Sequence, residues 1–329
     1  MSVKSSGVSA TNIVVYGWYH QENLGDDLFI EAFKSLFPTF TFNFVNQITV
    51  SNLENADAVF IGGGSFLGEP LIFDADSWNL LLTKKIFYLG VGAETNIHPS
   101  HYQLLKMAKL VAIRSPSALK KMKTINDHTT VIPDLVYHLF PKIAESKIEN
   151  SVLVLPNMVV VPSWNDPHWM HAAWDYFKTE FAQFLDGLVR DGFQLNFLPL
   201  CTNSEFNDEL AASEIIGRMQ LRSNQYFLEK KNDFQSITEL MSRYNVVITQ
   251  RYHGIVLAEM SQTSCLTIHH HDKLKTTQGF SLPFYGLTKD MLRSKFDQAK
   301  NAKVTSILPI DRDTFEILQR AVGNALCGD

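Results

Sequence analysis

The segment Val246-Val247-Ile248-Thr249-Gln250-Arg251-Tyr252-His253-Gly254 reads as an apolar strand, then a polar turn, then the start of a helix. Arg251 offers a planar fork that matches a carboxylate or a phosphate. His253, two residues on, can carry a proton near neutral pH. The first turn of the helix adds free N–H groups, which also favour an anion. Anion binding with proton transfer is one reading. The other is structural, with a buried arginine paired to a carboxylate and a histidine capping the helix.

Other candidates lie in the first half of the chain. In Gly17-Trp18-Tyr19-His20-Gln21-Glu22-Asn23-Leu24-Gly25-Asp26-Asp27 the carboxylates oppose an anion, so the loop suits hydroxyl groups, with Asp26 as a general base or simply as a helix cap. Gly62-Gly63-Gly64-Ser65 and Gly90-Val91-Gly92 permit close backbone approach but match neither a P-loop nor a dinucleotide fingerprint. Arg114 ends an apolar run and suits either an anion or a salt bridge; Pro133-Asp134 ends the next run as a turn. Lys273 and Lys275 suit anion contacts or plain solvation. His269-His270-His271 alternate faces along a strand, so no metal site is expected there. Trp164, Trp169 and Trp174 cluster; Trp164 lies in a loop where a flat ring could face a sugar, whereas Trp169 and Trp174 fit the core or the start of a helix.

These residues need a scaffold, and the sequence supplies one twice. Ile13–Tyr16, Thr41–Val45, Ala58–Ile61, Ile86–Leu89, Leu110–Ile113 and Val131–Ile132 are short apolar runs alternating with helical stretches, the first helix being Asp26–Phe37 with Asp26 as cap. After a polar linker at Pro141–Asn150 a second series begins: Val152–Leu155, Gln194–Leu198, Tyr226–Leu228, Val246–Ile248 and Cys265–Ile268, again with helices between. Continuous apolar strands alternating with helices predict parallel sheets covered on both faces. The expected fold is therefore α/β, two Rossmann-like domains facing a cleft: 1–145, and 146–329 with the last helix packing back on the first domain. Ligands in such sheets bind beyond the C-terminal strand ends.

Composition narrows the function. A chain of 329 residues with 45% hydrophobic and 19% charged residues has ample core. The net charge of −5 and the lack of a basic run argue against nucleic acid. Three cysteines, Cys201, Cys265 and Cys327, form no CxxC and predict neither a disulfide framework nor a zinc site. The first residues are polar rather than signal-like. No run of about 18 apolar residues occurs, so no membrane span is expected and a cytoplasmic location is.

Four segments together resemble the polysaccharide pyruvyl transferase family: Gly17…Asn23-Leu24-Gly25-Asp26, Gly62-Gly63-Gly64, Ala112-Ile113-Arg114-Ser115 and Arg251-Tyr252-His253-Gly254. Ile132-Pro133-Asp134 and Asp272-Lys273 add weaker matches. The resemblance implies a fold similar to the B-type glycosyltransferases. It implies phosphoenolpyruvate as co-substrate, a sugar or lipid-linked oligosaccharide as acceptor, and no other cofactor. It implies a donor site of Arg251, His253 and Arg114; the chemistry of such a donor would add Lys273 as a further cation, with the catalytic roles falling to His253, as acid or phosphate ligand, and to Asp26, as base for the acceptor. Asn23, Gly25, Gly63, Gly64 and Trp164 would line the acceptor side. Where family members often carry an arginine after the first strand of the second domain, this chain has Asn157. A nucleotide-sugar glycosyltransferase and a non-catalytic saccharide-binding protein are the alternatives, and monomer and homo-oligomer both remain open.

Overall fold

The computed structural model describes residues 11–65, 67–93, 96–161, 165–221, 225–228, 232–270, 274, 280–302 and 312–327. Trp164, His271 and Lys273 lie outside the described residues. The chain divides into two compact units, Met1–His20 with Phe29–Leu139 and Asp311–Asp329, and Gln21–Leu28 with Phe140–Ile310.

The first unit is a parallel sheet of β1 (Thr11–Tyr16), β2 (Phe40–Val45), β3 (Ala58–Gly62), β4 (Lys85–Val91), β5 (Leu110–Ile113) and β6 (Thr129–Val131), in the order β2-β1-β3-β4-β5-β6. Its helices are the part of α1 (Leu24–Leu36) from Phe29 on, α2 (Val50–Leu53), α3 (Ala75–Leu81), α4 (His101–Met107) and α5 (Leu119–Lys123). The core strands β3 and β4 are buried almost end to end, as an apolar run covered on both faces must be. Phe33 of α1 meets Phe42, Phe44 and Phe60 across the sheet at ring distances of 6.0–6.3 Å.

The second unit repeats the plan. Its strands are β7 (Ser151–Leu155), β8 (Gln194–Phe197), β9 (Gln225–Phe227), β10 (Val246–Thr249), β11 (Ser264–His269) and β12 (Ser281–Pro283), parallel and ordered β12-β11-β10-β7-β8-β9. Between them run α6 (His168–Arg190), α7 (Asp208–Ile216), α8 (Phe234–Ser242), α9 (Tyr252–Met260) and α10 (Lys289–Asn301). Along α6, Trp174, Phe177, Phe181, Leu185 and Leu188 recur at helical spacing and are all buried. Asp233 caps α8 by accepting the Ser236 N–H at 2.8 Å. Cys265 is a core residue of β11, and burial pushes its thiol up to about 12.

Two boundaries differ from the sequence reading. The polar linker docks on the second unit: Lys142 and Ala144 N–H groups donate to the Thr238 and Ser242 hydroxyls of α8. Gln21–Leu28, assigned to the first domain by position, belong to the second unit. There the Leu24 N–H donates to the Leu200 carbonyl at 2.8 Å, the Thr202 N–H donates to that of Glu22 at 3.0 Å, and Asn23 bridges Cys201 in antiparallel register. The last helix, α11 (Arg312–Cys327), clusters with the first unit, where Phe315 packs edge-on to His138 at 5.3 Å and Lys85 reaches the Leu326 carbonyl at 2.7 Å.

Candidate active site

In the second unit, β10 delivers Arg251 and His253 just past its C-terminal end, at the start of α9. The turn is held by Thr249, whose hydroxyl accepts the Arg251 N–H at 3.0 Å and donates to the Arg251 carbonyl at 3.2 Å. Arg251 folds onto Asp208, the first residue of α7. Its Nε lies 3.1 and 3.2 Å from the two carboxylate oxygens, and its Nη2 donates to Asp208 Oδ1 and, at 3.2 Å, to the Phe206 carbonyl. Asp208 is fully buried and also accepts the Leu200 and Cys201 N–H groups at 3.0 and 2.9 Å. Burial holds the Asp208 carboxyl above its usual value, against the opposing pull of the Arg251 guanidinium and these amides. Burial pulls Arg251 down, yet the Asp208 charge and hydrogen bonds, with Cys201 and Asp26 adding to them, leave it above the usual arginine value. Among the described residues Arg251 Nη1 has no hydrogen-bond partner, so one arm of the fork is not committed to Asp208.

Asn23, Gly25 and Asp26 join this cluster. The helix starts at Leu24, two residues before the expected cap. Asn23 is the residue at its head: its side-chain oxygen accepts the Gly25 N–H at 3.2 Å, and its amide donates to Asp26 Oδ2 at 2.6 Å. Asp26 is therefore not the cap but a carboxylate oriented by Asn23. Gly25 packs so close to the imidazole that a Cβ there would lie 2.3 Å from His253 Nδ1, and nothing larger than hydrogen fits. The loop carries backbone strain as well, with His20 at φ 59° and Glu22 at φ 55°.

Arg114 sits in the first unit. Its Nη1 donates to Asp134 at 2.5 Å and its Nη2 to the Ser65 hydroxyl at 3.0 Å, with the Phe29 ring centroid 5.8 Å away. Its side chain is 4% exposed. Arg114 and Asp134 thereby tie the ends of β5 and β6 to the glycine loop after β3. Gly63 and Gly64, at φ 74° and 83°, take a conformation that suits glycine, and the Gly64 carbonyl accepts the Gly92 N–H at 2.9 Å.

Trp174 is core, 4% exposed, whereas Trp169 at the start of α6 is 59% exposed. His269 ends β11 and His270 follows it; among the described residues no group of three His, Cys, Asp or Glu side chains could hold a metal ion. Asp208 is the residue that sequence reasoning missed. An acidic residue in the first turn of a helix is ordinary, and only the tertiary fold shows that it faces Arg251.

Two six-stranded parallel sheets with this connectivity define a fold of the glycosyltransferase B type. Solved structures share it: UDP-GlcNAc 2-epimerase from Methanocaldococcus jannaschii has a TM-score of 0.59 at 9% identity, covering 95% of this chain and 99% of that one. The UDP-N-acetylglucosamine 2-epimerase of Rickettsia bellii scores 0.54 at 11% identity, over 96% and 97% of the two chains. That of Neisseria meningitidis, bound to UDP-GlcNAc, scores 0.54 at 10% identity, over 96% and 100%. At such identities the likeness concerns the fold alone. No curated protein sequence matches the chain. The family model of polysaccharide pyruvyl transferases matches residues 23–272, more than half of the chain, and the chain belongs to that family. The match begins at Asn23 and contains Asp26, Arg114, Asp208, Arg251 and His253. The family makes the protein a transferase and implies a glycan acceptor. Among the described residues no helix is long and apolar enough to cross a membrane.

Proposed function

We propose that this protein transfers pyruvate from phosphoenolpyruvate to two hydroxyls of one sugar in a glycan, forming a cyclic ketal and releasing phosphate. The observation that supports this most is the packing of Gly25 on His253, which puts an oriented carboxylate loop and an arginine–histidine segment in one site.

In the proposed reaction one sugar hydroxyl adds to C2 of the enol phosphate while the methylene carbon takes up a proton and becomes a methyl group. The second hydroxyl then displaces phosphate from C2 and closes the ring. The two hydroxyls lose two protons; one replaces the proton consumed at carbon and the other leaves with the products. The steps need a fixed cation, an acid and a base, and call on no redox group. Arg251, held charged and rigid by Asp208, supplies positive charge through its uncommitted Nη1. His253 works on the donor, as the acid or as a phosphate ligand. Asp26, aimed by Asn23, accepts the acceptor's proton. Arg114 shapes the glycine loop of the first unit through Ser65. Lys273 is proposed as a further donor contact, and Trp164 as an acceptor contact. The reaction is placed in the cytoplasm.

Calorimetric titration with phosphoenolpyruvate and, separately, with UDP-sugars tests the donor. Binding of phosphoenolpyruvate that is lost in Arg251→Lys is expected. Binding of the UDP-sugar alone would replace this reading with nucleotide-sugar transfer.

A further inference from the structure

Beside the arginine–histidine turn, the C-terminal edge of the second sheet holds two neutral amides that the mechanism above does not use. Asn157 follows β7 and Gln250 follows β10, and these strands pair directly, Thr249 opposite Leu155. The two residues are 8% and 3% exposed. The Asn157 N–H donates to Gln250 Oε1 at 3.4 Å, which fixes the Gln250 amide with its nitrogen outward from that bond. Asn157 Nδ2 faces His270 Nε2 at 3.5 Å. What remains is Gln250 Nε2, a buried donor, and Asn157 Oδ1, a buried acceptor, each without a hydrogen-bond partner among the described residues.

Buried polar atoms are almost always paired, and an orphan is costly unless something else pays for it. Two orphans of opposite kind, beyond adjacent strand ends of a parallel sheet, stand where ligands of such sheets bind. Their chemistry selects the ligand. A carboxylate or phosphate could take the Gln250 N–H but would oppose the Asn157 oxygen. A hydroxyl donates and accepts at once and satisfies both.

We propose that Asn157 and Gln250 form a subsite for a sugar hydroxyl of the acceptor, set beside the Arg251–His253 turn. The proposal rests on the pyruvyl-transfer reading only in calling that sugar the acceptor.

The test uses the full chain with methyl β-D-galactopyranoside, methyl α-D-mannopyranoside and methyl N-acetyl-β-D-glucosaminide as probes, their affinities read by NMR titration, and phosphoenolpyruvate read by calorimetry. Asn157→Leu and Gln250→Met each weaken the bound glycoside about tenfold, the size expected of one buried hydrogen bond. Phosphoenolpyruvate affinity stays within about twofold. Melting temperature falls only slightly in Gln250→Met, which loses the single 3.4 Å hydrogen bond from the Asn157 N–H to Oε1 and no bond of the nitrogen; a large fall beside unchanged glycoside affinity marks a purely structural amide and overturns the proposal. Glycoside affinity unchanged in both variants, an equal loss of phosphoenolpyruvate, or no glycoside binding by the unaltered chain overturns the proposal. Glycoside binding through these residues without phosphate release from phosphoenolpyruvate keeps the subsite and discards the pyruvyl reading.

Discussion

Arg114 and Arg251 are the same kind of residue in the same kind of place. Each follows a buried strand, and each pairs with a carboxylate that has no exposed surface. Their surroundings differ. Arg114 is 4% exposed, donates from Nη1 to Asp134 and from Nη2 to Ser65, and lies by the Phe29 ring. Arg251 is 16% exposed, keeps Nη1 uncommitted, and stands in the cluster that holds Asp26 and His253. A strand-end arginine is thus no site by itself. The Asn23-oriented Asp26 carboxylate and the His253 imidazole beside Arg251 make that ion pair the stronger candidate for the chemistry.

That contrast can be broken experimentally. The largest effects are expected from removing the carboxylates, because an unpaired buried charge costs about 3–5 kcal/mol. Asp134→Ala and Asp208→Ala should lower stability similarly in urea unfolding. Only Asp208→Ala should also weaken phosphoenolpyruvate binding per folded molecule; equal loss of binding in both would erase the distinction. Next, His253→Ala should reduce turnover by about 10²–10⁴-fold with little change in melting temperature, the range for a lost acid or base. Near-normal turnover would remove His253 from the chemistry. Gly25→Ala forces a methyl group against the imidazole and should cost about 1–3 kcal/mol while lowering turnover. If turnover stays at the native level while stability falls, the contact is packing only. The smallest effect concerns the linker. The hydrogen bond from Lys142, with charge from Lys142 and Arg243, holds the Glu239 carboxyl below its usual value. A depressed carboxyl stabilises the fold above its unfolded pKa, and the contribution fades as pH falls through the folded value. Glu239→Gln should therefore lower stability slightly at neutral pH and not at all at strongly acidic pH; a loss that persists in acid would contradict the assignment.

Much of this architecture is legible in the sequence, for a physical reason. A strand covered on both faces must be apolar throughout, so β3, β4, β7 and β10 announce themselves as Val/Ile/Phe runs closed by glycine or a polar turn. The helices are less plain: α10 buries only Leu292, Phe296 and Ala299 in a largely polar stretch, and α2 is a single turn. At the head of α1, Asn23 and Asp26 are equally good caps by type, and only the hydrogen bonds show that Asn23 does the work. Arg251 and His253 stand out because polar residues interrupt an apolar pattern. Asp208, Asn157 and Gln250 do not, since each is unremarkable where it stands in the chain and gains meaning from a neighbour far along it. The attachment of Gln21–Leu28 to the second unit is set by backbone hydrogen bonds to Leu200 and Thr202, which leave no trace in side-chain pattern.

The central claim is that this chain moves pyruvate onto a sugar using the Arg251–His253 site. Incubation with phosphoenolpyruvate and a glycan panel, following inorganic phosphate and product mass together, tests it directly. The account predicts phosphate release that requires a glycan, a product heavier by one pyruvate less one water, and loss of both in His253→Ala. Phosphate release without a heavier glycan, or no reaction with phosphoenolpyruvate beside turnover of a nucleotide sugar, would contradict it.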